Sequence, residues 1–340
     1  MAVFAGNFTR SGDTCHAGSA TVRAMSNGAT DTVTETLTAT DLSGRVSGWW
    51  ILPISAVLWW AVGFLPWILH EIFQVLGVEP SSLEEIDAFT PIPVAAEDAV
   101  ASLVTMSVIG GVLAGAGARL ARHRGGGAVA AVCGTAFALA AAGAGAWWQV
   151  NAAAGADDAK ADALLAVAVV GTLLGLVLGL LAALAPAPVR AAAFALPVVL
   201  ADGWLWGLLP GHSAVPQGTW WIFAVALGIA LGLGVDRNPL QMLGWLPAAG
   251  LVWVLQAAGP VLEAVSGYFA PGAPPLSIPV VLDAAWEPLR RTTFSADEHD
   301  LGGWVVGLLL GVAVAGLRLT RGIEEDDEEE FDELRAFAPR

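Results

Sequence analysis

Apolar runs of about 18 to 27 residues follow one another eight times along this chain, at roughly 48–69, 99–119, 127–149, 163–185, 190–209, 218–235, 240–266 and 301–319. A helix needs about 20 apolar residues to cross the roughly 30 Å hydrocarbon core of a bilayer. Inside that core only helices and closed barrels satisfy their own backbone hydrogen bonds. A large soluble core holds some runs of this kind, but not eight in succession. Charged residues are 14% of the chain, against about a quarter in a soluble domain, and they fall in short islands between the runs. The sequence predicts an all-α polytopic membrane protein. Its eight transmembrane helices occupy 47–320, between a polar tail over 1–46 and an acidic tail over 321–340.

Arginine placement orients these helices. Arg45, Arg119, Arg122, Arg124, Arg190, Arg237, Arg318 and Arg321 lie on one side. The opposite connections hold only Lys160, Arg290 and Arg291, and the first is crowded by Glu79, Glu84, Glu85, Asp87, Glu97 and Asp98. The positive-inside rule makes the arginine side cytoplasmic, with both termini there, in the plasma membrane of a prokaryote. Tryptophans agree: Trp49, Trp50 and Trp245 mark the inner interface, and Trp67, Trp147, Trp148, Trp220, Trp221 and Trp304 the outer one. Trp59, Trp60, Trp204, Trp206 and Trp253 sit deeper, where packing between helices is the expectation.

The net charge of −16 is concentrated, with nine acids within Glu324–Glu333. That run reads as a solvated, disordered end. No basic stripe tracks a phosphate backbone, so nucleic acid is excluded as a partner. Cys15 and Cys133 lie at different depths and form neither a disulfide framework nor a CxxC site. Residues 1–46 are rich in Ser, Thr, Gly and Asp and contain no apolar signal-peptide core; they read as disordered, and Met25 is an alternative start. Two outer loops are long. Residues 76–98 carry a capping pattern, Ser81-x-x-Glu84. Residues 267–299 carry VVLDAAWEPLRR, which either lies on the membrane surface or covers the bundle.

An internal repeat runs through the odd spans. Pro53 and Pro66, Pro197 and Pro210, and Pro247 and Pro260 are each thirteen residues apart. Tryptophan follows the first proline by six or seven residues in each: Trp59 and Trp60, Trp204, Trp253. The even spans carry glycines four apart: Gly111 and Gly115; Gly171, Gly175 and Gly179; Gly228 and Gly232; Gly307 and Gly311. Such strips let helix backbones approach closely. Four tandem in–out–in hairpins in a parallel pseudo-repeat are the expectation, with the prolines kinking the odd helices. Span 3 lacks the prolines. The same glycine strips offer a surface for a membrane-protein partner or a homo-oligomer.

Asp202 is the only acid well inside a span. An ionisable group there costs about 2.5–3.5 kcal/mol on insertion scales, so it should face protein or water. It either binds a cation or relays a proton, or it hydrogen-bonds between helices. Gln256 and Glu263 on span 7, His70 and Glu71 at the end of span 1, and His212 share its outer half and are candidates for one outward-facing polar vestibule. Enzyme signatures fail when checked. Gln74 stands where a zincin helix needs its second histidine, and GHSAV at 211–215 lacks the closing glycine of a nucleophile elbow. The acids at 84–87 lack an arginine and downstream histidines, and no nucleotide-binding glycine loop is present. No catalytic residue, metal or cofactor is assigned. The expected function is transport or sensing of a small solute or cation; the alternative is a non-transporting scaffold or accessory subunit.

Overall fold

The computed structural model describes residues 46–75, 91–93, 100–152, 158–208, 220–235, 238–269 and 277–337. The N-terminal tail up to residue 45, the Ser81–Glu84 pattern, Pro210 and His212 lie outside these residues. Among the described residues the chain is helical and contains no strand; a lone bridge joins Val46 to Ala121. The helices are α1 (Gly48–Val57), continued by a π segment (Leu58–Val62), then α2 (Leu65–Val75), α3 (Val100–Ala116), α4 (Arg124–Ala152) and α5 (Asp158–Leu184). They continue with α6 (Ala187–Ala193), α7 (Ala195–Trp206), α8 (Trp220–Leu233), α9 (Trp245–Leu255), α10 (Ala258–Ser266), α11 (Ile278–Phe294) and α12 (Leu301–Phe337).

Six helical runs are long and apolar enough to cross a membrane: Val100–Leu120, Arg124–Asn151, Ala161–Leu184, Ala187–Leu205, Pro239–Ser266 and Leu301–Thr320. A seventh is added if Gly48–Val62 and Leu65–Phe73, bent by 55° to each other, count as one. This is the architecture of a polytopic membrane protein. The described residues of α8 number 14, about 21 Å at 1.5 Å per residue. Its C-terminal carbonyls are reached by two arginines. Arg318 Nη1 donates to Leu233 O at 3.0 Å and Gly232 O at 3.4 Å, and Arg190 Nη1 donates to Leu233 O at 3.3 Å. Long arginine stems bring positive charge to that helix end, where it complements the helix dipole. Arg190, read from sequence as a loop charge, is therefore buried.

Four of the six repeat prolines lie four residues after a helix end, while Pro53 stands inside the unbroken α1 and Pro247 in the first turn of α9. A proline at position i supplies no N–H to the carbonyl of i−4 and crowds it. Helix α6 ends at Ala193, four before Pro197, and α7 ends at Trp206, four before Pro210. Helix α9 is capped at Gln256, four before Pro260. The π segment of span 1 closes at Val62, four before Pro66, and the 55° bend follows at once. Gly63 N reaches back five residues to Leu58 O at 3.2 Å, the π-type bond that precedes the turn.

Indole N–H groups tie these broken helices to their neighbours. Trp59 Nε1 donates to Thr172 Oγ1 at 2.9 Å, Trp60 Nε1 to Pro91 O at 3.0 Å, Trp204 Nε1 to Gly63 O at 3.0 Å and Trp253 Nε1 to Thr293 O at 3.0 Å. A buried indole needs such a partner because the hydrocarbon supplies none.

Helix α3 packs most extensively on α5, and α8 on α12, while α1 lies against α4. Apolar burial follows the same division. One core gathers Trp59, Phe64, Leu103, Met106, Leu164 and their neighbours from α1 to α5. A second gathers Ala195, Val198, Leu227, Leu231, Val252 and Trp304 from α6 to α12. Val108 and Val112 of α3 join Leu200 of α7 between them. In the first half a methyl added at Gly111 or Gly115 would meet the Thr172 or Leu176 carbonyl oxygen at 2.5 or 2.6 Å. One at Gly175 or Gly179 would be driven into those of Val108 or Val112. One at Gly171 would lie 3.0 Å from Ser107 Cβ. In the second half a methyl added at Gly228 would meet Leu310 Cβ at 2.6 Å, one at Gly232 the Val314 side chain, one at Gly307 Leu227 Cδ2 at 2.9 Å and one at Gly311 Leu231 Cβ at 3.2 Å.

The acidic tail corrects one expectation. Helix α12 continues through the run of acids to Phe337 instead of ending at the membrane. Extending an existing helix needs no new nucleus, and glutamate is a good helix former.

Candidate functional site: a cavity ringed by helix ends

Arg190 and Arg318 place the end of α8 and the starts of α6 and α7 at one end of the bundle. At the other end the C-terminal parts of α7 and α9 and the N-terminal parts of α3, α8 and α12 surround a cavity of about 510 Å³. Its wall includes Asp202, Gly203, Trp204 and Gly207 from α7, and Ser102, Thr105 and Met106 from α3. Trp220 and Phe223 come from α8, Gln256, Gly259 and Pro260 from the α9–α10 break, and Thr292, Glu298 and Asp300 from the segment ahead of α12. Pro66 closes it from the bend in span 1.

The acids on this wall differ in their setting. Glu298 Oε1 accepts from Arg291, at 2.7 Å from Nη2 and 2.9 Å from Nε. Asp300 Oδ1 accepts from the amides of Gly302 at 3.0 Å and Gly303 at 3.2 Å, capping the exposed start of α12. Asp202 stands mid-helix, half-buried, with its Oδ1 shielded from solvent. No lysine, arginine or histidine lines the cavity among the described residues.

Behind the wall lies a polar knot. Gln256 Oε1 accepts from Trp304 Nε1 at 3.2 Å and pairs with His299 Nδ1. An indole N–H only donates, so the Gln256 atom facing it is the oxygen. His299 must then present a protonated Nδ1. Its ring stacks on Trp253, centroids 3.6 Å apart, and Trp253 also packs on Trp304 at 5.6 Å. Burial pushes the His299 pKa below its ordinary 6.5, against the smaller opposing pulls of the Thr292 backbone and the Glu298 carboxylate. The neutral imidazole is the form this setting favours.

Of the residues singled out from sequence, the cavity brings together Asp202 and Gln256. Glu263 is exposed on α10 and its backbone carbonyl accepts from Ser266 at 2.7 Å. His70 is exposed beside Trp67, 6.2 Å between rings, and Glu71 is half-buried. None of these three lines the cavity. Sequence reasoning missed Glu298, His299, Asp300 and Thr292. The available signal was DEHD at 297–300, a dense ionisable run directly ahead of the last span. Among the described residues no group of three or more His, Cys, Asp or Glu is placed to hold a metal ion. No protein-family model, curated protein or solved structure matches this chain.

Proposed function

We propose that this chain is a plasma-membrane protein that moves or senses a small solute or cation through the cavity at its arginine-poor end, with Asp202 as the working acid. The observation that carries the reading is the cavity itself: Asp202, on a helix read as crossing the membrane, shares one space with Gln256, Glu298 and Asp300. Pockets of about 300–1,000 Å³ with a few convergent polar groups are the usual form of small-ligand sites. In this reading the chain crosses the membrane eight times, with α8 as the sixth crossing. The arginine end and both termini are cytoplasmic, by the positive-inside rule, and the cavity opens outward. We assign it no catalytic step.

The pseudo-repeat belongs to the same proposal. It is supported by the coincidence of proline spacing with helix breaks, by the recurring indole ties, and by packing that joins α3 to α5 and α8 to α12. That packing favours a frame of two four-helix halves, within which the hairpins are the smaller unit.

The test is flux. Reconstituted in vesicles, the wild type should move at least one member of a panel of small cations and polar solutes. Asp202→Asn should lose that flux at least tenfold while the protein stays monodisperse. A wild type that moves nothing across the panel sinks the transport reading. Topology is tested separately: reporter fusions at 90 and 285 should read external and one at 123 cytoplasmic, and a cytoplasmic reading at 285 would break the eight-span arrangement.

The scaffold alternative rests on a different observation. Helix α11 exposes Ile278, Leu282 and Trp286, four residues apart, at 78%, 64% and 60%. The glycine strips are engaged within the chain, so a partner in that reading would meet α11. Such a protein would show no flux before or after the Asp202 change.

A further inference from the structure

Resting on the reading of the cavity as a solute site, we propose that its ligand is an organic cation, a substituted ammonium with an apolar body, held with its charge at Asp202 and its body against Trp204, Trp220 and Phe223.

Charge excludes one class. The described wall carries three carboxylates and no basic side chain, so an anion would enter against the local field and find no cationic partner. Size and ligand count exclude another. A bare divalent ion wants about six to eight oxygen ligands at close range. Here no three candidate ligands converge among the described residues, and the space is about 510 Å³. A ligand that fills it must bring volume of its own.

The acids divide the task. Glu298, beside Arg291, and Asp300, capping α12, both belong to the exposed segment ahead of the last span. Asp202 is the carboxylate that lies at membrane depth, where a charge costs about 2.5–3.5 kcal/mol and a bound cation offsets that cost. The aromatic faces are held in place. Trp204 is tied through Nε1 to Gly63 O, and Phe223 is set edge-on to Trp304 at 5.5 Å between centroids. Aromatic rings sharing a cavity wall with a carboxylate are the residue types that bind ammonium groups, through their ring quadrupoles. Two glycines leave the room: a methyl at Gly203 or Gly259 would meet nothing within 4 Å.

The experiment uses the full chain in lipid nanodiscs and equilibrium binding of four probes. These are phenyltrimethylammonium, choline, the neutral choline isostere 3,3-dimethylbutan-1-ol, and sodium. Phenyltrimethylammonium and choline should bind, with the isostere at least tenfold weaker than choline. Asp202→Asn should weaken both ammonium ions at least tenfold and leave the isostere unchanged. Gly203→Leu, which adds bulk at a position on the cavity wall where a side chain meets open space, should abolish ammonium binding. Gly316→Leu, whose new side chain also meets open space but lies away from the cavity, should not. Monodispersity and unchanged thermal unfolding confirm that each variant is folded. Equal binding of choline and its isostere overturns the organic-cation assignment. So does binding of sodium alone in an Asp202-dependent way, which leaves the solute-site reading standing. Failure of all four probes, with no flux of any panel member, overturns both.

Discussion

The two halves of the bundle use the same sequence device to different depths. In α3 and α5 the glycines oppose one another's backbones, so added methyls would strike carbonyl oxygens. In α8 and α12 added methyls would first meet the side chains of Leu227, Leu231, Leu310 and Val314, with the facing backbone next, Gly307 O and Ala224 O each at 3.1 Å. A glycine strip therefore sets how close a helix can come, while the residues on the facing helix decide how close it does. The first half is the tighter body, with α3 the most enclosed of the long apolar helices. The second half supplies most of the cavity wall and the acid. Counted from the first proline, the position of Asp202 is taken by Leu58 in span 1 and Val252 in span 7.

The comparison is broken most sharply at Gly175. A methyl there meets backbone, which cannot turn aside, so Gly175→Ala should cost about 3 kcal/mol, the upper part of the overpacking range. Gly311→Ala, whose nearest neighbours are the Leu231 and Trp245 side chains at 3.2 and 3.4 Å, should cost about 1 kcal/mol or less. Equal losses in denaturant or thermal unfolding would mean the halves pack alike. Next come the indole ties. Trp60→Phe and Trp204→Phe each remove one hydrogen bond to a main-chain oxygen, worth about 1 kcal/mol. Only Trp204→Phe should also weaken ligand binding, since Trp60 is not on the cavity wall.

The smallest effect is that of pH. The folded His299 pKa lies below the ordinary 6.5. Well above that value both states are neutral and the stability is complete. As pH falls through 6.5 the unfolded chain takes up the proton first, and stability declines until the folded pKa is passed, where it levels off. His299→Asn, which keeps a donor toward Gln256, should flatten that part of the pH–stability curve. An unchanged slope would place its origin in another group.

Depth was legible in the sequence and azimuth was not. Proline positions foretold four of the helix breaks, though not at Pro53, and the deeper tryptophans foretold indole partners, though Trp304, placed at the outer interface, is also buried and donates to Gln256. Both depend only on local backbone chemistry. The glycines foretold close contact but not with which helix, because the same spacing occurs in every even span. The sequence groups Glu263, His70, Glu71, Asp202 and Gln256 in the outer half, yet only the last two share a cavity. A membrane helix is apolar toward lipid and toward protein alike, so it carries no polar stripe from which its facing side can be read. Glu298, His299 and Asp300 escaped notice for a related reason: charges just ahead of a span look like ordinary interfacial residues until the fold draws them over a cavity.

The placement of α8 has an electrical consequence for the proposed site. Trp220, on the cavity wall, and Leu233, whose carbonyl Arg190 and Arg318 reach, lie at opposite ends of its described residues, about 20 Å apart. A membrane potential exchanges about 2.3 kcal/mol per elementary charge per 100 mV wherever it is dropped. A cation held as proposed would lie at one end of that stretch, and voltage would act on its occupancy.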